Sequence, residues 1–253
     1  MDSKFYINTE GNDDKSYALA MQFACELAKN DLDINRIVLY IHTKNNTGWF
    51  ERLFDYNTVK KLFDGLKFSD CRVPFKFETK ITYKSAVYGK PSDIVICCGI
   101  DSDDLLKIDD YYSVKYMIAI PCLLSLSEKW IKTWNALEIS GKNEKADNKY
   151  QEPSEIVKIA MQHLTESINM STGISHPLDN SRAKTYIRAL HKYEPKLNAD
   201  IVGAYLVREL NWGTRHASDI EKLIETLNKG KYFQGGEKTG LQNYYKRWRN
   251  ETK

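Results

Sequence analysis

DIVICCGI, residues 93–100, is the stretch whose reading decides the fold. An almost unbroken apolar run, rich in Ile and Val, ends at Gly99 and is followed by the acids Asp101, Asp103 and Asp104. A strand with one wet face alternates polar and apolar residues. A strand covered on both faces has no reason to, so this run reads as the middle of a parallel sheet under two layers of helix. Cys97 and Cys98 are adjacent in it, which points their side chains into opposite layers as small apolar filler.

The flanking segments fit as neighbours and cover. KFYIN, residues 4–8, is a short aromatic strand. It breaks at TEGNDD, where Gly11 permits a turn and Asn12 or Asp13 can cap a helix. That helix runs to Asn30, with Ala20, Met21, Ala24, Leu27 and Ala28 at helical spacing. RIVLYIHT, residues 36–43, is a second buried strand, followed by two short helices, the second capped by Asn57 and closed at Gly65. In residues 71–84, Val73, Phe75, Phe77, Thr79, Ile81 and Tyr83 alternate with Lys76, Glu78, Lys80 and Thr82. Period two predicts an edge strand with one wet face, its lysines discouraging further pairing. SVKYMIAIP, residues 113–121, is the last strand expected. Ser125 with Glu128 predicts a capping box for a helix carrying Trp130, Ile131, Trp134 and Leu137.

Residues 141–151, GKNEKADNKYQ, are almost free of apolar side chains and read as a linker. Beyond them every segment has helical period. The expected organisation is an α/β domain over residues 1–140, a linker over 141–151 and an all-α module over 152–253. The fold class is a Rossmann-like sandwich with a mainly parallel sheet, followed by that helical module.

Composition narrows the function classes. With 42% hydrophobic and 28% charged residues in 253, the chain is an ordinary globular protein, and a net charge of +3 selects no partner. No stretch approaches about 18 successive apolar residues, so no membrane span is expected. MDSKFYINTEG shows no cationic segment ahead of a long apolar core, so no signal peptide is expected. Five cysteines without zinc-ligand or CxxC spacing read as reduced thiols, which points to a cytoplasmic protein with no metal site.

In an open parallel sheet, ligands bind beyond the carboxyl ends of the strands, where strand order reverses. The side chains delivered there are Glu10 and Asn12 after the first strand, His42 after the second, Asp101 after residues 93–100, and Cys122 after Pro121. These five are the ligand-binding candidates. His42 and Asp101 have the chemistry of an acid–base pair, and Cys122 lies just ahead of a helix that could stabilise a thiolate. The carboxylates favour sugar hydroxyls or an amine over bare phosphate, and neither GxGxxG nor GxxxxGK[ST] is present. The motifs of zinc proteases, α/β-hydrolases and kinases are also missing, so no reaction is assigned.

Charge is unevenly spread. From Ser171 onward 15 Lys and Arg stand against 9 Asp and Glu, whereas residues 1–170 carry 22 against 25. The end of the chain interleaves Lys246, Arg247 and Arg249 with Tyr244, Tyr245 and Trp248. That is either a nucleic-acid surface or an amphipathic helix whose aromatics are core. The leading functional reading is a small-molecule or nucleotide-binding protein, with homo-oligomerisation through the helical module as an option. The alternatives are a nucleic-acid-associated accessory protein and a non-catalytic interaction module presenting Trp130, Trp134 and Trp212.

Overall fold

The computed structural model describes residues 3–9, 13–84, 88–141, 151–194 and 197–252. Its contacts divide the chain into two compact units, Met1–Asn148 and Lys149–Lys253. Most of the expected linker, residues 142–150, lies outside the described residues.

In the first unit the elements run β1 (Lys4–Tyr6), α1 (Asp14–Asn30), β2 (Arg36–Tyr40), α2 (Gly48–Leu53), α3 (Tyr56–Leu62), β3 (Phe75–Glu78), β4 (Asp93–Cys98), α4 (Ser102–Asp109), β5 (Val114–Ile120), α5 (Leu124–Trp134) and β6 (Leu137–Glu138). Among the described residues six strands form one sheet, all parallel, in the order β3-β2-β4-β5-β1-β6. β4 is the apolar run, and every residue of it is buried. Alternate side chains of the sheet divide between two cores. Ile37, Leu39, Ile94, Ile96, Cys98 and Ile118 pack with Tyr17 and Ala20 of α1, Phe50 of α2 and Leu62 of α3. Val38, Tyr40, Val95, Cys97 and Met117 pack with Leu105 and Ile108 of α4 and Trp130 and Ile131 of α5. The chain moves toward the β3 edge while it makes α1 to α3, then toward the β6 edge while it makes α4 and α5. Right-handed crossovers in opposite directions place helices on opposite faces, as observed.

Several sequence expectations are corrected. The alternating segment stops being a strand at Glu78, because Thr79 folds back onto Thr82 through its backbone N–H (2.8 Å to the Thr82 hydroxyl). Ile81, expected inside, is therefore 80% exposed, while Tyr83 is buried and its hydroxyl donates to Asp93 at 2.9 Å. Asp93 also takes two hydrogen bonds from Arg36, each 2.9 Å, so its burial is compensated. The cap of α3 is Asp55 rather than Asn57. The Ser125–Glu128 capping box does not form: the N-cap of α5 is Leu123, whose side chain cannot accept a hydrogen bond. Residues 113–121 are not the last strand. Asn135 takes a left-handed conformation (φ 49°), ends α5 at Trp134, and releases Leu137 into β6, which pairs with β1.

The second unit contains α6 (Glu155–Ser167), a short 3-10 turn (Gly173–Ser175), α7 (Pro177–Tyr193), α8 (Ala199–Leu210), α9 (Thr214–Asn228) and α10 (Leu241–Glu251). Ser154 caps α6 and Asn198 caps α8. Each helix turns a buried stripe inward, with Met161 and Leu164 of α6, Ile187 and Leu190 of α7, Val202 and Leu206 of α8, Ile220 and Ile224 of α9, and Trp248 of α10. No described helix is long and apolar enough to cross a membrane.

Candidate functional site

The strand order creates two places where neighbouring strands send their following helices to opposite faces. One lies between β2 and β4, the other between β5 and β1. The helices diverge at each, and in open parallel sheets such reversals are where ligands bind, beyond the carboxyl ends of the strands.

His42 and Asp101 flank the first reversal. His42 is exposed, and its Nε2 lies 3.1 Å from the carbonyl oxygen of Gly99, across the join from β2 to β4. A carbonyl only accepts, so the neutral ring carries its proton on Nε2 and leaves the Nδ1 lone pair open to a donor. Asp101 caps α4 by accepting from the Asp104 backbone N–H at 3.1 Å. Asp104 receives Lys107 Nζ at 2.7 Å. That hydrogen bond, with the charges of Lys107, Lys80 and His42, outweighs desolvation and holds the carboxyl below its usual range.

Gly99 is the pivot of this edge. Its φ is +66°, a region that costs little only for glycine, and a Cβ there would stand 2.8 Å from Cys122 Sγ. Gly99 N–H also donates to Ile120 O at 2.8 Å. The ends of β4 and β5 are thereby drawn together, and half-buried Cys122 is brought beside the turn at the end of β4. Tyr17 of α1 lies close to Cys98 and Cys122. Burial first, then those sulfurs, push its hydroxyl well above the ordinary tyrosine range. It stacks on Trp49 of α2, centroids 5.6 Å apart, while Asp14 pairs with Arg52 at 2.8 Å. These contacts fix the start of α1 against α2. Sequence periodicity did not single out Tyr17 or Trp49 as part of this edge, and it marked Gly99 only as the end of its strand.

The electrostatics of the edge are uneven. Asp13 caps α1, accepting from Ser16 N–H at 2.6 Å, and Asp14 follows. Asp101 caps α4, and Asp103 and Asp104 follow. Both N-termini thus carry their own carboxylates against the positive dipole end. The first turn of α5 holds no acid and its cap offers no side-chain acceptor. Of the five predicted ligand-binding residues, His42, Asp101 and Cys122 stand on this one edge of the sheet. Glu10 and Asn12 lie outside the described residues.

In the helical unit, Lys246, Arg247 and Arg249 are all exposed on α10. The aromatics between them are used for packing. Trp248 is fully buried and meets Tyr186 edge-on at 5.0 Å, Tyr244 lies 5.5 Å from Tyr186, and Tyr245 lies 5.0 Å from Tyr193. Trp130 and Trp212 are likewise buried. A cavity of about 180 Å³ lies between the starts of α6 and α8, with Glu152, Glu194 and Asn198 at its rim and Val157, Leu197 and Ile201 below. That is under the roughly 300–1,000 Å³ of small-molecule sites. Its Glu194 carboxylate is already satisfied by the Ser154 and Tyr245 hydroxyls, at 2.8 and 2.7 Å. Among the described residues no group of three or more His, Cys, Asp or Glu is arranged to hold a metal ion.

Residues 153–249, less than half of the chain, are similar to the family described as "Domain of unknown function (DUF1889)", a match that falls on α6 to α10. No curated protein and no solved structure matches the chain.

Proposed function

We propose that the α/β unit binds a nucleotide-sized small molecule at the carboxyl edge of its sheet, across the β2–β4 reversal. The observation that supports this reading is the His42–Gly99 contact at 3.1 Å, which holds a side chain with an open Nδ1 lone pair across the β2–β4 reversal, on the edge that also carries Asp101. Nδ1 and the Asp101 carboxylate both accept hydrogen bonds, so the part of the ligand between them donates: sugar hydroxyls or an exocyclic amine. The aspartate-capped starts of α1 and α4 disfavour a phosphate there. A phosphate belongs at the acid-free start of α5, beyond Cys122.

Calorimetric titration with nucleosides and their 5′-monophosphates tests this reading. The monophosphates are expected to bind more tightly than the nucleosides. His42→Ala and Asp101→Asn should each weaken binding roughly ten-fold, about 1.4 kcal/mol, with the thermal midpoint unchanged. Asn keeps the cap of α4, so any loss reports the charge rather than the helix. Binding that ignores both substitutions, or no binding by any member of the panel, defeats the proposal.

A further inference from the structure

Away from the carboxyl edge, two thiols meet. Cys25 lies on α1, half-buried, and Cys71 lies in the segment before β3, buried. Both pack against the same core, and the two side chains are within hydrogen-bonding reach of each other. The residue after Cys71 locks this meeting in place. Arg72 donates from Nε to Ala28 O at 2.9 Å and from Nη2 to Asp31 O at 3.0 Å and Ile34 O at 2.7 Å. Those three carbonyls belong to the last turn of α1 and the chain just beyond it, and Ala28 sits one turn after Cys25. The Arg72 guanidinium thus clamps the segment of Cys71 to the end of the helix that carries Cys25. The other cysteines are placed differently. Cys97 and Cys98 are buried in opposite cores, and Cys122 is at the far edge of the sheet.

We propose that Cys25 and Cys71 form a peroxide-oxidisable dithiol, with Cys25 as the thiol attacked first and Cys71 as the thiol that resolves it into a disulfide. The order follows from exposure. Only Cys25 reaches solvent, and a small uncharged oxidant such as hydrogen peroxide is the class that fits a half-buried sulfur. In the first step the Cys25 thiolate attacks a peroxide oxygen. An S–O bond forms, the O–O bond breaks, and hydroxide leaves as water after taking a proton. In the second step the Cys71 thiolate attacks the Cys25 sulfur. The S–S bond forms, the S–O bond breaks, and a second water departs. Two thiols are oxidised and one peroxide is reduced to two waters. Burial, with the neighbouring Cys71 thiol, pushes the Cys25 thiol above the ordinary cysteine range, so the reaction is slow at neutral pH and quickens as pH rises. The resolving thiol stands within reach, so oxidation stops at the disulfide instead of climbing to sulfinic acid. The bridge would join α1 to the lead-in of β3 and close a long loop.

The test uses the full chain, treated with excess hydrogen peroxide at mildly alkaline pH, alkylated, digested and analysed by mass spectrometry. The expected product is one cross-linked peptide pair containing Cys25 and Cys71, lighter by two hydrogens and restored by a thiol reductant. Its thermal midpoint should lie roughly 5–10 °C above that of the reduced chain. Cys71→Ala should stop the reaction at oxygenated Cys25, and Cys25→Ser should leave Cys71 unmodified. Free thiols persisting at both positions, or a cross-link through Cys98 or Cys122 instead, overturns the proposal. Oxygenated Cys25 without a link in the unaltered chain overturns the resolving role of Cys71.

Discussion

Replacing Gly99 by Ala perturbs the candidate site at its pivot, and the structure separates the cost into two parts. The first is backbone. Holding an L-residue at φ +66° costs about 1–2 kcal/mol relative to glycine. The second is steric. The new methyl carbon would lie 2.8 Å from Cys122 Sγ, so the thiol must rotate away at a cost of about 1 kcal/mol. The single substitution should therefore destabilise by about 2–3 kcal/mol, which a domain of ordinary stability survives. Cys122→Ala removes the sulfur and, with it, only the steric part. In that background Gly99→Ala should cost about 1–2 kcal/mol, leaving a coupling of about 1 kcal/mol between the two sites. Distant sites are additive to within about 0.3–0.5 kcal/mol, so the coupling is measurable. Urea unfolding of the four proteins at 25 °C, followed by circular dichroism, gives the cycle. Additivity within about 0.5 kcal/mol would refute the close approach of the β4 and β5 ends. Refutation would also remove Cys122 from the neighbourhood of His42.

Val95→Asp should abolish folding of the first unit, because Val95 is fully buried under α4 and α5 and an unpaired carboxylate there costs several kcal/mol; a native circular-dichroism spectrum would contradict this. In the second unit, Trp248→Ala should lose about 3–5 kcal/mol in urea unfolding, whereas Lys246→Glu, Arg247→Glu and Arg249→Glu together should change stability by no more than about 1–2 kcal/mol, since all three are exposed. Asp104 supplies a pH signature. Its folded carboxyl titrates below the unfolded 3.8, so its stabilisation is present above that value and disappears as pH falls through the folded one. The stability difference between the chain and its Asp104→Asn variant should hold steady from about pH 7 to 5 and shrink below about pH 4; a difference that grows on acidification would reverse the sign.

The sheet was legible because burial on two faces leaves its own trace. β4 and β5 carry apolar runs too long for a wet face, and the Asp13 cap marks a helix start at the right place. What misled the reading was tertiary competition with a local pattern. The period-two signal through Ile81 and Tyr83 is present in the sequence, yet Thr79 and Thr82 bond each other and turn the chain. The Ser125–Glu128 spacing is that of a capping box, yet α5 begins two residues too early for Ser125 to cap it. In α10 the spacing of Tyr244, Tyr245 and Trp248 suited a stacking surface and a packed face equally. The contacts with Tyr186 and Tyr193 decide for packing, and period alone could not have.

The site was legible only in part for a different reason. Which strand ends share an edge follows from strands being parallel, so the common edge of His42, Asp101 and Cys122 could be reasoned from element order. Which ends adjoin follows from strand order, and no local pattern encodes that β1 inserts between β5 and β6. That insertion creates a second reversal and divides the candidates, His42 and Asp101 at one and Cys122 toward the other. Gly99 then joins what the topology divides, because a residue without a side chain lets the β4 turn close on Cys122 while its carbonyl holds His42. The sequence contains that glycine, but its role depends on a neighbour in space. The same logic bears on ligand chemistry. Of the helices that follow β1, β4 and β5, two bring their own aspartates and one does not, so the edge has a donor-seeking side and a side open to an anion. A ligand with hydroxyls at one end and a phosphate at the other has that asymmetry, and a bare phosphate does not.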